Sequence, residues 1–336
     1  MKEKKISKLN ITFIILDILA LGVIFLAYGP ISYFRNLLVT TAMTTMSHHY
    51  LARTIYTDKM ISYTLSNNYV SEGKQNTNTS DIIIDNEDDG NYESIYEEQI
   101  LKRDPDNDLY KVIPIDENGY KGYLVAIYDP SRVSLAVSSR AERGGQQLPD
   151  MANENDAKVA INASGLYNTS SIAIKATGTV IKDGKIYSVG GGTGWGGGLI
   201  GFNNDNVLVL TRENASVAIE NGMRDAVEFG PFLIVNGEAS TVVGNGGYGV
   251  APRTAIGQRK DGIVLFLVID GRNPGYSVGI DMAGMINIFK RYKAHNAANL
   301  DGGGSSTLVI NGEVANNPKG YGYEGGRYLI NSWIVK

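Results

Sequence analysis

The chain begins with Lys2, Lys4, Lys5 and Lys8, then turns apolar from Ile11 to Tyr28, interrupted only by Thr12 and Asp17. Extended to Ile31 or Phe34, the run reaches the roughly 20 apolar residues that a helix needs to cross a bilayer. No small-x-small cleavage pattern follows it directly, so residues 1–34 read as a retained signal-anchor. The basic flank assigns the N-terminus to the cytoplasm and the rest of the chain to the outside. That is a single-pass protein of the cell membrane. Asp17 is unusual within such a run and is assigned no role.

Polarity then becomes mixed. Over residues 35–70, Leu37, Leu38, Ala42, Met46, Tyr50, Ile55 and Met60 recur at spacings near three and four, without proline. This predicts a helical stalk whose stripe packs against the domain or against a second copy of itself. Residues 71–109 carry a dense run of Asp and Glu behind an Asn/Thr-rich stretch, Gly73–Ser80. They read as a solvated linker, because the acidic cluster Asp85–Asp89 lacks the loop spacing of an EF-hand.

From residue 110 to 336 the pattern is short apolar runs divided by turn dipeptides. Val180–Ile181 and Ile186–Val189 flank Asp183-Gly184, while Phe232–Val235 precedes Asn236-Gly237 and Thr307–Ile310 precedes Asn311-Gly312. Such pairs supply the positive φ that tight hairpins demand. Ile263–Ile269 is apolar throughout, as in a strand buried on both faces. One helix is predicted from about Gly279 to His295, with Asp281 in its first turn and Lys290, Arg291 and Lys293 in its last. Strands do not alternate with helices, so the expected fold is a β-rich α+β domain, not a doubly wound one.

Composition narrows the chemistry. No cysteine is present, which removes disulfides, thiolate metal sites and a cysteine nucleophile. The only histidines, His48, His49 and His295, argue against a histidine-rich zinc site or a Ser-His-Asp triad. A net charge of -4 gives no footing for a nucleic-acid partner. The 40 glycines cluster in loops, including Gly190–Gly198, which lacks the Gly-Lys-Ser/Thr end of a nucleotide-binding loop. That loop reads equally as a flap, with Trp195 stacking on a sugar, or as a surface hairpin tip. Tyr248, Tyr321 and Tyr323 pose the same choice.

Three segments place charge at the ends of apolar runs. Val268-Ile269 stops in Asp270-Gly271-Arg272, and Asn299-Leu300 stops in Asp301 before Gly302, Gly303, Gly304, Ser305 and Ser306. The third is Pro252-Arg253-Thr254. A glycine run after a carboxylate lets backbone N–H groups approach an anion closely, and an arginine suits bidentate contact with phosphate.

These blocks, with Asn162-Ala163-Ser164-Gly165, Phe229-Gly230-Pro231 and Asn316-Asn317-Pro318, resemble the signature blocks of the phosphodiester glycosidase family. The resemblance covers roughly Gly122 to Lys336; Ala163 and Ser164 depart from it where glycines are common. It implies hydrolysis of a sugar-1-phosphodiester of the N-acetylglucosamine-1-phosphate type, giving free sugar and a phosphomonoester. Asp301 is then the principal catalytic carboxylate, with Asp270 as second acid/base or orienter and Glu228 in reserve. Arg253, Thr254, Arg272, Gly302, Gly303, Gly304, Ser305, Ser306 and Asn162 are the expected binders of phosphate or sugar. No cofactor is required, although Asp270, Asp301 and nearby carbonyls are a candidate seat for Ca²⁺ or Mg²⁺. The expected partner is a phosphorylated carbohydrate of surface or exported polysaccharide. A non-catalytic polysaccharide-binding or assembly protein, and a phosphodiesterase cutting on the phosphorus side, are the competing readings.

Overall fold

The computed structural model describes residues 7–45, 48–85, 87–88, 90–117, 119–169, 173–190, 196–319 and 325–336. Trp195, Tyr321, Tyr323, Met46 and Asp89 lie outside the described residues. The chain divides into two compact units, Met1–Tyr69 with Val242–Gly249, and Val70–Thr241 with Val250–Lys336.

In the first unit, helix α1 (Lys8–Tyr28) is capped by the Ser7 side chain, which accepts from the Asn10 amide at 3.2 Å. None of its residues is buried, and it is long and apolar enough to cross a membrane. Its 21 residues rise about 31 Å, the thickness of a hydrocarbon core. Helices α2 (Ser32–Met43), α3 (His49–Ile55) and α4 (Asp58–Ser66) follow. A helical stalk was the expectation; the segment is helical in three pieces that fold on one another and bury Val39, Ala42, Ala52, Tyr56 and Ile61 together. Of the stripe, Ala42 enters this cluster and Leu38 and Met60 pack on it, while Tyr50 and Ile55 stay exposed. The Tyr248 loop packs here as well. Asn245 donates from its amide to Asn68 Oδ1 at 2.9 Å and from its side chain to Thr40 Oγ1 at 2.9 Å. A Cβ on Gly249 would stand 2.2 Å from Thr41 Oγ1, so glycine at this point serves close packing.

The second unit is built on three antiparallel sheets. The largest has seven strands in the order Glu238–Ala239, Phe232–Val235, Ala294–Asn299, Arg253–Arg259, Val264–Ile269, Tyr120–Ile127, Tyr110–Glu117. A five-stranded sheet runs Glu313–Val314, Leu308–Ile310, Val159–Asn162, Asn331–Val335, Val133–Val137. The third, also five-stranded, runs Leu208–Thr211, Gly198–Asn203, Met223–Phe229, Val180–Lys182, Lys185–Ser188. One core joins them: Phe266 and Leu300 from the first, Ile161 and Trp333 from the second, and Phe202 and Val227 from the third. Burying apolar faces of three sheets against each other is what the short apolar runs require.

The hairpin pairs adopt positive φ at both residues, 50° and 68° at Asp183-Gly184, 53° and 81° at Asn236-Gly237, 51° and 86° at Asn311-Gly312. Val264–Ile269 is buried at every position. The predicted helix is there but shorter, Met282–Arg291, capped by Asp281 Oδ1 on the Gly284 amide at 2.8 Å. Lys293 at φ 57° turns the chain into the strand Ala294–Asn299, which the helical pattern could not foretell.

The expected linker is largely part of this unit. Thr77 pairs with Leu210 in both directions, amide to carbonyl at 3.0 Å and amide to hydroxyl at 2.9 Å. Helix Ile95–Leu101 buries Ile100, and Lys293 lies between Glu93 at 2.6 Å and Glu97 at 2.7 Å. Glu93 and Glu97, which read as solvated, share a base for a partner, and composition carries no record of partners.

Candidate active site

Antiparallel pairing sets the end of one strand beside the start of the next. Arg253, at the start of its strand, lies opposite Ile269, and Ala255 lies opposite Asn299. Asp270 and Asp301 therefore leave the sheet on either side of Arg253-Thr254. From the neighbouring sheet, Asn162 ends its strand against the same place and links the pieces. Its Nδ2 donates to the Asp301 carbonyl at 2.6 Å, and its Oδ1 accepts from Thr254 Oγ1 at 2.7 Å and the Thr307 amide at 3.2 Å. The Asp301 amide donates to the Ala163 carbonyl at 3.0 Å. Asn299 ties in the Phe229-Gly230-Pro231 block, donating from Nδ2 to the Gly230 carbonyl at 2.7 Å.

Two guanidinium groups meet the glycine run. A Cβ built on Gly302 would stand 3.6 Å from Arg253 Nη1, and one built on Gly303 would stand 3.2 Å from Arg272 Nη2. Arg253 is buried, whereas Arg272 is exposed and held at φ 54°, a conformation arginine seldom adopts. Gly303 itself is at φ 63° with its amide on the Pro252 carbonyl at 2.8 Å. The result is a cationic seat over bare backbone, suited to an anion.

Asp301 lies beside that seat. The residue keeps part of its surface, yet its carboxyl is densely surrounded by protein. Burial, the largest influence, pushes it above the usual carboxylate range, while Ser305, Arg327, the Gly302 amide and Arg253 act in the opposite sense without reversing it. The Ser305 hydroxyl reaches Asp301 closely enough to act on its charge but forms no hydrogen bond of good geometry, so we treat it as a donor within reach. The hydroxyls of Ser306 and Thr307 and the side-chain Oδ1 of Asn299 are likewise buried with no partner among the described residues. Buried groups of this kind are costly unless a ligand uses them.

Other expected residues are placed differently. The Asp270 carboxylate is buried and already accepts three bonds, from Asn316 Nδ2 at 2.8 Å, the Asn317 amide at 2.9 Å and Tyr276 Oη at 3.0 Å. Burial and the Asp270 charge push the Tyr276 phenol up to about 12, so it remains a donor at ordinary pH. The donors engage both oxygens of this carboxylate with protein. Among the described residues no group of three or more His, Asp or Glu could hold a metal ion. Thr254 and Asn162 are buried and their polar groups are engaged with protein, the arrangement of residues that hold the pieces of the site together. Glu228 is not gathered in: its Oε2 accepts from the Thr179 amide at 2.8 Å, and its side chain lines a groove of the third sheet.

Sequence reasoning missed Arg327. A Cβ on Gly326 would stand 2.9 Å from Thr307 Oγ1, and Gln147 Nε2 donates to the Gly326 carbonyl at 2.7 Å. This close approach brings the next residue to Asp301. The sole signal was an arginine after Gly325-Gly326, and one arginine after glycines carries little information.

It also missed Glu72, assigned to the linker. Its carboxylate accepts from the amides of Gly197 at 2.9 Å and Phe232 at 2.8 Å and pairs with Arg212 at 3.0 Å. Replacing it by alanine leaves two inward amides without an acceptor, at a cost of about 1–3 kcal/mol. Chemical denaturation of Glu72→Ala should show this loss, with Glu72→Gln intermediate; an unchanged midpoint would mean the carboxylate is idle.

The chain matches the phosphodiester glycosidase family over residues 155–336, more than half its length. It belongs to that family. It is 33% identical over 196 residues to an uncharacterized SPbeta prophage-derived protein of Bacillus subtilis, covering 56% of this chain and 29% of that one. It is 26% identical over 219 residues to mouse N-acetylglucosamine-1-phosphodiester alpha-N-acetylglucosaminidase, covering 59% of this chain and 41% of the mouse enzyme. The chain thus spans less than half the length of the curated relatives it matches. The catalytic domain of the zebrafish enzyme of the same name superposes with a TM-score of 0.55 at 22% identity, covering 67% of this chain and 81% of that one, so the fold is shared. The matched span holds Asn162, Arg253, Asp270, Arg272 and Asp301 and leaves out the N-terminal helices of the first unit, Met1–Tyr69.

Proposed function

We propose that this phosphodiester glycosidase is a membrane-anchored hydrolase that cleaves a sugar-1-phosphodiester at the anomeric C–O bond, with an N-acetylglucosamine-1-phosphate group as the substrate type. The observation that carries this reading is the meeting of Arg253 and Arg272 over Gly302-Gly303 beside Asp301. In the reaction the bond from the anomeric carbon to the phosphate oxygen breaks, and its electron pair leaves with the phosphate. The sugar gains oxocarbenium character and ends with a hydroxyl from water. The guanidinium groups hold the phosphate charge as it grows. Asp301, across the breaking bond, meets the positive charge on the sugar, and a phosphomonoester leaves without a strong general acid. The name of the mouse relative, an N-acetylglucosamine-1-phosphodiester alpha-N-acetylglucosaminidase, supports N-acetylglucosamine as the sugar. In the same reading α1 anchors the chain, its basic flank lies in the cytoplasm, and the sheet unit works on surface or exported polysaccharide.

Full-length protein in detergent, given UDP-N-acetylglucosamine and a methyl diester of N-acetylglucosamine-1-phosphate, tests this by mass spectrometry of the products. Free N-acetylglucosamine with the matching phosphomonoester supports it. Sugar-1-phosphate would mean cleavage on the phosphorus side, and binding without products would mean a lectin-like protein.

A further inference from the structure

The third sheet and the short helix Ala215–Glu220 enclose a groove of about 820 Å³, within the ~300–1,000 Å³ range of small-molecule sites. Two kinds of wall line it. Val189, Ile186 and Val217 present apolar side chains that are 76%, 43% and 37% exposed. The lining also carries the polar side chains of Glu228, Ser216 and Arg212. Glu228 Oε2 is held by the Thr179 amide, and its Oε1 accepts nothing among the described residues. Arg212 is fixed in place, paired with Glu72 and lying 4.8 Å over the Phe232 ring.

The groove wall packs on the backbone that supports the site. Gly197, on its lining, packs so tightly on the Phe229-Gly230 peptide that a Cβ would meet the Phe229 carbonyl at 2.1 Å. The Gly230 carbonyl is the one Asn299 holds, two residues before Asp301. Charge decides what kind of ligand fits. Glu72 already neutralises Arg212, and Glu213 and Glu228 add negative charge, so a second phosphate is repelled. A pyranose suits both walls, with C–H faces for the apolar side and hydroxyl groups for a carboxylate oxygen and a serine.

We propose that this groove is a carbohydrate subsite for neutral pyranose rings on the far side of the scissile phosphate. This rests on the reaction proposed above: a sugar released free carries no further rings, so rings held beyond the site belong to the group that keeps the phosphate. Glu228 is in this view a sugar-holding residue, which accounts for its separation from Asp301.

The test compares two substrates on full-length protein: the methyl diester of N-acetylglucosamine-1-phosphate, and the same group esterified to a neutral trisaccharide. Wild type should turn over the longer one with kcat/KM at least about tenfold higher, a difference set by differential binding in the transition state. Val189→Asp and Val217→Asp should erase the advantage and leave the methyl diester unchanged, which also reports that they fold. Equal treatment of both substrates by wild type, or an equal loss on both by the variants, overturns the subsite. Should neither substrate turn over, the reaction itself is wrong. Calorimetric titration with the free trisaccharide then decides the groove alone: binding lost in Val217→Asp supports it, and no binding to wild type overturns it. A change of oligomeric state in the variants would overturn it too, giving the groove to a second copy of the chain.

Discussion

Asp301→Asn is expected to lower kcat by about a thousandfold or more while raising stability at neutral pH. The two halves share one cause. Burial raises the pKa of the Asp301 carboxyl in the folded protein above its ordinary value, so folding penalises the ionised form. The sign follows by linkage. A carboxyl with a raised folded pKa leaves stability whole below the unfolded pKa, near 3.9, and stability declines as pH rises through the folded value. At pH 7, above the unfolded pKa, wild type carries this penalty, and an amide of the same shape does not. Thermal midpoints of the two proteins should therefore diverge at pH 7, with the variant higher, and converge as the pH falls toward 4. The acid limb of wild-type activity should lie above the usual carboxylate range, because the ionised form faces the sugar cation. Retained turnover in a folded variant removes Asp301 from the chemistry. A variant less stable at pH 7 would mean that Arg253, Arg327 and Ser305 outweigh burial. Sites held in a strained or desolvated state for function show this opposition between stability and activity.

The sequence disclosed the parts of this arrangement whose signal is local. Asp183-Gly184, Asn236-Gly237 and Asn311-Gly312 turn as their φ values require, because positive φ is a property of two adjacent residues. Val264–Ile269 is buried on both faces, as its unbroken apolar run states. Arg253, Asp270 and Asp301 announced themselves as charges at the ends of apolar runs, and antiparallel register explains why such ends gather. What stayed hidden depends on partners distant in the chain. Asp270 read as second acid/base or orienter, and the Asn316, Asn317 and Tyr276 donors around it have no local signal in the sequence. Glu72 looked solvated, and its amide partners lie more than a hundred residues away. Arg327 owes its place to the packing of Gly326 on Thr307. The buried cluster of residues 35–70, Val39, Ala42, Ala52, Tyr56 and Ile61, shares only Ala42 with the stripe, because it forms between helices and not along one.

Asn162 gives the second large effect, and it distinguishes positioning from binding. Its side chain is fully buried and joins the Asp301 carbonyl, the Thr254 hydroxyl and the Thr307 amide. Those groups come from three separate segments that carry the catalytic candidate, the strand of Arg253 and the serine run. Asn162→Ala leaves all three unpaired, and with about 1–3 kcal/mol for each buried group left unsatisfied, part of it recovered by relaxation, the expected loss is about 2–4 kcal/mol. Asp301 loses the clamp on its carbonyl, so kcat should fall at least about tenfold with little change in KM, since a small misplacement of a reacting group is expensive. Asn162→Asp is the sharper probe. It keeps both acceptor roles but sets a carboxylate oxygen 2.6 Å from the Asp301 carbonyl, where Nδ2 now donates. Activity should fall further than in the alanine variant, although the volume is unchanged. Thr254→Val, which removes one of the three bonds, should cost least. A residue that touched phosphate directly would behave otherwise: KM would rise, the unfolding midpoint would hold, and the aspartate variant would differ from alanine only through repulsion of the anionic substrate. Paired measurements of kcat, KM and denaturation midpoint on the three variants therefore separate a clamp from a ligand contact, and a KM effect with unchanged stability would return Asn162 to the binding surface.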